Sequence, residues 1–310
     1  DTEIARGLLH RAIELDDNLL VAKVLLGTTY REMGDYDEAM EIYSTTLTQA
    51  EELGDKTAMG KSLNNIGIVY GIKGDHDTAL DYLERSLEIK EELGNKRGMG
   101  ILLSNIATTH YIKGYLDKTL DYVGRSLEIL DKALAIFEEL DDKLNLGKLL
   151  SNIGNLHKNE GDYDKALDYY GRSLAIKEEL GNKYEMVSTL SNIGLVHSTK
   201  GDYKALDYYG RSLVITENLG DERRMGIILF NIGLVHWSKG DYGKAEEYLE
   251  KYINIQKEIG LKEIGLETTT YLYLTYKHLG RDYDVKEIHS LIKEAENIGF
   301  DLNLRLYELL

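Results

Sequence analysis

The sequence predicts an all-α solenoid of stacked antiparallel helix pairs, and three observations predict it. The stretch LSNIGLVHSTKGDY (Leu190–Tyr203) recurs as LNNIGIVYGIKGDH from Leu63, LSNIATTHYIKGYL from Leu103, LSNIGNLHKNEGDY from Leu150 and LFNIGLVHWSKGDY from Leu229. Fainter relatives run from Val24 and Tyr271, and the glycine near the end of each copy falls at 34, 74, 114, 161, 201, 240 and 280. A period this regular, with steps of 40, 40, 47, 40, 39 and 40 residues, is the mark of a repeat array. Second, each repeat holds two amphipathic segments with helical spacing: Leu190, Ile193, Val196 and His197 in one, Ala166, Leu167, Tyr170, Leu174, Ile176 and Leu180 in the other. Third, glycine-containing breaks such as Gly201-Asp202 and Gly181-Asn182 end the segments, and no strand-like alternation persists anywhere.

Taken in order, residues 1–16 fit the second helix of a partial repeat, since Ala5 and Ala12 keep the spacing of Ala79 and Ser86. Seven helix pairs follow, at about 18–53, 57–93, 97–140, 144–180, 184–219, 223–259 and 263–298, and residues 301–310 form a short capping or continuing helix. The whole chain, 1–310, is thus expected to be one solenoid. The third pair departs from the pattern: Arg125–Leu140 is seven residues longer than Arg85–Leu93. Seven residues are close to two helical turns, so a lengthened, protruding second helix and a local change of curvature are expected there. The fifth pair has lost one residue from its internal turn, GDYKA against GDYDKA.

The spacing of Leu190, Ile193, Gly194 and His197, then Ala205, Tyr209 and Ser212, resembles the tetratricopeptide (TPR) consensus. There, small residues let the two helices of a pair approach and a large aromatic fills the gap between them. The 40-residue period with its EELGNK connector resembles the longer repeats of kinesin light chain and of the Pins-type Gα regulators. Two departures are visible. Leucines (Leu63, Leu103, Leu150, Leu190, Leu229) stand where the family has an aromatic, and the usual proline after the second helix is absent. The resemblance implies a right-handed superhelix whose first helices line a concave groove.

Composition narrows the function. Without cysteine there is no disulfide framework, thiolate nucleophile or thiolate metal site. No run approaches the ~18 apolar residues of a membrane span, and a cytoplasmic setting is expected. Acidic residues outnumber basic ones 54 to 37, and a net charge of −17 repels nucleic acid while favouring a partner with a basic segment. No P-loop, GxGxxG, HExxH, GxSxG or EF-hand pattern appears, so neither catalysis nor a cofactor is expected.

Four histidines, His110, His157, His197 and His236, recur at one repeat position that Tyr30, Tyr70 and Tyr276 fill in other copies. Stacked equivalents lie roughly 10 Å apart, too far to share a metal, so these read as packing residues. Asn65, Asn105, Asn152, Asn192 and Asn231 form a second ladder, each in mid-helix just before a core isoleucine. Asparagine is a mediocre helix former, but its amide donates and accepts at once, which suits the backbone of an extended peptide. In the two families named, asparagines at this position line the groove and hold peptide backbones, so the resemblance implies that role in pairs two to six. Alternatively, the amides bridge neighbouring helices or were copied by duplication.

Other positions vary between copies: Ile68, Thr108, Asn155, Leu195 and Leu234, then Gly71, Tyr111, Lys158, Ser198 and Trp237. By the family's geometry these face the groove and would set specificity, with Asn155, Lys158, Phe230 and Trp237 as candidate contacts and the two aromatics as an apolar anchor. Drift at exposed sites explains the same variation. Arg85, Arg125, Arg172 and Arg211 read as solvated outer-face residues, and Tyr82, Tyr122, Tyr169, Tyr208 and Tyr248 as packing between repeats. The expected function is a non-catalytic scaffold that binds a partner peptide or segment in its groove. The alternative is a regulatory or sensor region of a larger signalling protein, a cyclase, kinase or transcription regulator, acting on its own effector domain. Self-association through exposed repeat ends is a third possibility.

Overall fold

The computed structural model describes residues 2–117, 120–259, 266–286, 288–290 and 293. The described helices are α1 (Thr2–Leu15), α2 (Leu20–Met33), α3 (Tyr36–Leu53), α4 (Lys56–Ile72), α5 (His76–Glu92), α6 (Lys96–Asp117), α7 (Leu120–Glu139) and α8 (Lys143–Asn159). They continue with α9 (Tyr163–Glu179), α10 (Lys183–Thr199), α11 (Ala205–Leu219), α12 (Glu222–Ser238), α13 (Tyr242–Glu258) and α14 (Leu266–His278). No strand occurs among the described residues. The expected helix at 301–310 and most of the second helix of the seventh pair lie outside them.

Local chemistry sets the ends. Asp55, Asp75, Asp162, Asn182 and Asp221 each accept a hydrogen bond from a backbone N–H three residues on, satisfying a donor that the first turn would otherwise leave bare. Of the seven repeat glycines, 34, 74, 161, 201, 240 and 280 adopt positive φ, which stops the helix where an L side chain would be strained. Gly114 instead lies inside α6.

The chain divides into two compact units, Asp1–Leu156 and His157–Leu310, with the division inside α8. In the first, α2·α3, α4·α5 and α6·α7 pack as pairs, and the first helices α2, α4 and α6 also touch in succession. In the second, α10·α11 and α12·α13 pair, and α10, α12 and α14 touch in succession. In pairs one, two, five and six a glycine lies under a large side chain. A Cβ on Gly27 would lie 2.6 Å from Tyr43 Cε1, and one on Gly194 2.8 Å from Tyr209 Cε1. Both tyrosines are buried. Ser86 Oγ donates to the Gly60 carbonyl at 2.6 Å and Ser212 Oγ to that of Val187 at 3.1 Å, so the close helix contact also satisfies buried hydroxyls.

In the third pair the second helix, α7, spans 20 residues, against 17 in α5, α9 and α13. Ser126 Oγ donates to the Ala107 carbonyl at 2.9 Å, whereas Phe137 covers Gly100, the counterpart of Gly60. Buried Ala133 and Phe137 therefore fill the places that Ser86 and Lys90 hold in pair two. The RSL copy at Arg125 has slid back by two turns, and α6 runs to Asp117. A shift of seven residues returns the same helix face, and Ser126 and Ala133 are both small enough for the close contact, so either register buries a similar stripe. In pair five the missing residue removes the first turn of the second helix: α11 starts only at Ala205 and has no side-chain cap.

Candidate functional site

The second helices add a layered stack that sequence spacing only partly foretold. Tyr70–Tyr82, His157–Tyr169, His197–Tyr208 and His236–Tyr248 have ring centroids 5.3–5.6 Å apart and interplanar angles of 10° or less. Each joins the first and second helices of one pair, while Tyr82, Tyr208 and Tyr248 also pack on the core of the preceding pair. Arg85, Arg172 and Arg211 lie over Tyr82, Tyr169 and Tyr208 at 5.3, 5.4 and 5.9 Å, so the arginines also cap aromatic faces. Burial pulls the His157 and His236 imidazoles below the usual histidine range. Among the described residues no group of His, Asp and Glu has the arrangement of a metal site. The side chain of Tyr122 lies outside the description.

In the first unit a cavity of about 370 Å³ opens between α4, the start of α5, α6 and α8. Asn105 and Asn152 line it together with the variable positions Ile68, Gly71 and Thr108. Ile112 and Ile72 add apolar wall, and His76, whose Nδ1 is buried with no hydrogen-bond partner among the described residues, also lines it. Two ladder asparagines and three variable positions thus converge on one concave surface.

The ladder amides are partly engaged. Asn105 Nδ2 donates to Asn64 Oδ1 at 3.0 Å, and Asn152 Nδ2 lies 3.5 Å from Ser104 Oγ. Each therefore reaches back to the residue just before the ladder position on the preceding first helix, the bridging role held open above. Asn64 and Ser104 are the partners that the repeat comparison did not single out; their position, directly before the ladder, was the available signal. Each bond takes one N–H of the amide, which has a second N–H and a carbonyl oxygen. Asn65, Asn192 and Asn231 are half-buried on α4, α10 and α12 and do not line this cavity.

Asn155 and Lys158 are half-buried on α8, and burial lowers the affinity of Lys158 for its proton. The two aromatics are built into the second unit. Phe230 packs on Tyr252 at 5.4 Å and against the Leu249, Ile253 and Leu272 cluster. Trp237 is ringed by Tyr271 at 5.3 Å and by Tyr242 and His278 at 6.3 Å. Both are half-buried.

A family model described as "Tetratricopeptide repeat" matches residues 18–92, 59–130, 98–179 and 185–258. No curated protein matches the sequence. Among solved structures, the chain is similar to a Signal Transduction ATPase with Numerous Domains (STAND) protein with a tetratricopeptide repeat sensor from Pyrococcus horikoshii, at 17% identity and TM-score 0.72, over 90% of this chain and 41% of that one. It is similar to the APC/C hetero-tetramer Cut9–Hcn1 at 17% identity and TM-score 0.62, over 89% of this chain and 46% of that one. A Podosopora anserina putative kinesin light chain with nearly identical TPR-like repeats matches at 13% identity and TM-score 0.53, over 65% of this chain and 97% of that one. The chain spans less than half the length of the first two. At these identities the likeness is one of fold.

Proposed function

The chain belongs to the tetratricopeptide repeat family, and from that premise we propose that it is a non-catalytic recognition scaffold that holds an extended segment of a partner protein. The observation that carries this reading is the cavity of about 370 Å³ where Asn105 and Asn152 meet Ile68, Gly71 and Thr108. Amide groups beside apolar wall match what an extended peptide presents: backbone donors and acceptors at a regular rise, with side chains projecting alternately. Net charge of −17 favours a segment rich in Lys and Arg by long-range attraction. Asn65, Asn192 and Asn231, with Asn155, Lys158, Phe230 and Trp237, would extend the recognition surface beyond this cavity. No described helix is long and apolar enough to cross a membrane, and we place the interaction in the cytoplasm.

The test is a peptide array biased toward basic and apolar sequences, with hits measured in solution by fluorescence anisotropy. Asn105→Ala with Asn152→Ala should weaken a hit at least tenfold while leaving helicity intact. Ser104→Ala, which removes only the partner of Asn152 on the neighbouring helix, should leave it bound. Equal loss in Ser104→Ala and Asn152→Ala would assign Asn152 to helix bridging alone.

A second reading draws on the STAND protein, whose printed description assigns its tetratricopeptide repeats a sensor role. On that reading this array regulates an effector domain of a larger signalling protein. An effector domain encoded in the same gene, with activity that changes on deleting the array, would favour it over the independent scaffold.

A further inference from the structure

Four polar side chains that line the cavity of about 370 Å³ each commit a hydrogen to another protein group. Thr108 Oγ1 donates to the Ser104 carbonyl at 2.8 Å and Thr109 Oγ1 to the Asn105 carbonyl at 3.0 Å. A hydroxyl has one hydrogen, so both oxygens can only accept a further bond. Asn105 Nδ2 reaches Asn64 and Asn152 Nδ2 reaches Ser104, and among the described residues no donor reaches either amide oxygen. His76 adds a ring nitrogen, Nδ1, with no hydrogen-bond partner among the described residues. No charged side chain lines the cavity. Lys73 and Lys113, which follow the wall residues Ile72 and Ile112, are paired with Asp37 and Asp77. Acceptors thus outnumber donors here, and no cation of the chain serves them.

Gly71 makes the room. A Cβ there would meet nothing closer than the Ala79 Cβ at 3.9 Å, whereas Tyr111, Lys158, Ser198 and Trp237 stand at the same place in other copies. In pair six the ring neighbours of Trp237 are Tyr242, Tyr271 and His278. These are the counterparts of His76, Asn105 and Ile112 in the repeat. The chain fills with its own aromatic side chain, among rings, the place that pair two leaves open among oxygens. A lining of oxygens and aliphatic wall suits a different guest from a lining of rings.

We propose that this cavity takes one lysine side chain of the partner segment, its methylenes along Ile68, Ile72 and Ile112 and its ammonium among the oxygens of Asn105, Asn152, Thr108 and Thr109. An ammonium has three donors and no acceptor, which matches a surplus of acceptors; a hydroxyl or amide guest would bring further acceptors. Its four-carbon stem packs on apolar surface while the charged end stays near water. Asn152 and Thr108 are exposed, so the ammonium keeps part of its hydration and avoids the full cost of burying an ion. The net charge of −17 attracts such a segment from a distance. The inference rests on the reading of this chain as the holder of an extended segment, and it names the side chain that fixes the segment's register. The second N–H of each asparagine remains for the segment's backbone.

The test follows the isoleucine methyl signals of the full 13C-isoleucine-labelled chain, assigned by Ile68→Val, Ile72→Val and Ile112→Val. N-acetyl-lysine methylamide is titrated at constant ionic strength beside the norleucine derivative, which keeps the stem without the ammonium, and the arginine derivative. Lysine should shift the three signals saturably, with a dissociation constant at least tenfold below that of norleucine. Gly71→Leu, which fills the cavity and leaves both asparagines in place, should remove the response; the lysine–norleucine comparison on the unaltered chain does not depend on how that variant folds. Norleucine binding as tightly as lysine, tighter binding of arginine, no saturation with lysine, or an unchanged response in Gly71→Leu would each overturn the proposal. A peptide hit whose affinity survives replacement of every lysine by norleucine would also overturn it and leave the extended-segment reading intact. A saturable lysine shift with no peptide hit would support the lysine cavity and count against the extended segment.

Discussion

Replacing Gly194 by alanine tests the close contact that shapes each helix pair. The substitution adds one methyl group and, by helix propensity alone, should stabilise α10 by about 1 kcal/mol. The new Cβ, however, would lie 2.8, 2.9 and 3.0 Å from Cε1, Cδ1 and Cζ of Tyr209. That ring is 1% exposed and packed in the cluster of Val187, Ala205, Ile228, Ile232 and Val235, so it cannot swing aside into solvent. Overpacking of this kind costs about 1–3 kcal/mol, which leaves a net change between roughly zero and 2 kcal/mol of destabilisation. Gly210, next to Tyr209 on α11, provides the control, because a Cβ there meets nothing within 4 Å. Gly210→Ala should therefore stabilise by about 1 kcal/mol. Urea unfolding followed by circular dichroism, with unchanged m-values required before free energies are compared, measures the difference. Equal stability of the two variants would refute the view that Tyr209 sets the approach of the helices.

Three further outcomes are expected. Glu185→Ala should destabilise the second unit more than Lys177→Met does, because the first takes a carboxylate from a buried ammonium while the second removes the charge; with Glu185 30% exposed, the loss should be about 2–3 kcal/mol, below the range for a fully buried pair. Equal losses in urea melts would contradict this. The folded-state pKa of His157 and of His236 lies below that of the unfolded chain, so both favour the folded state above about pH 6.5, and that contribution is lost as the pH falls from there through their folded values. Replacing both by tyrosine, the residue that Tyr70 places in the same stack, should flatten thermal stability between neutral and mildly acidic pH; an unchanged slope would remove the histidines as its source. Finally, Asn182→Ala deletes the cap of α10 and should lower stability by about 1 kcal/mol, again read from urea unfolding, with no loss counting against the cap.

Much of the fold is legible in the repeats because the same constraint is written several times. Leu190, Ile193 and Val196 recur at helical spacing because they face the core, and glycines such as Gly201 recur because a left-handed residue ends the helix there. The site is less legible. A repeat comparison finds Asn105 and Asn152 but cannot tell an amide that bridges to the preceding helix from one that faces a ligand, since both roles ask for the same side chain. Phe230 and Trp237, which read as anchors from their size and variation, are half-buried, with Tyr252 and Tyr271 as ring neighbours.

The amino-acid sequence by itself determined the period, the breaks, the apolar stripes and the membership of an all-α repeat family, because these depend on local propensity and on side-chain spacing. Tertiary structure alone decided the register of the third pair, where a seven-residue insertion presents the same helix face in either alignment and only the fit of Ala133 and Phe137 against α6 separates them. It also decided the difference between Lys90 and Lys177, two copies of one lysine. The surroundings of each are set by what the next helix brings within reach: Glu185 and Thr189 for one, and for the other an open space beside Gly98.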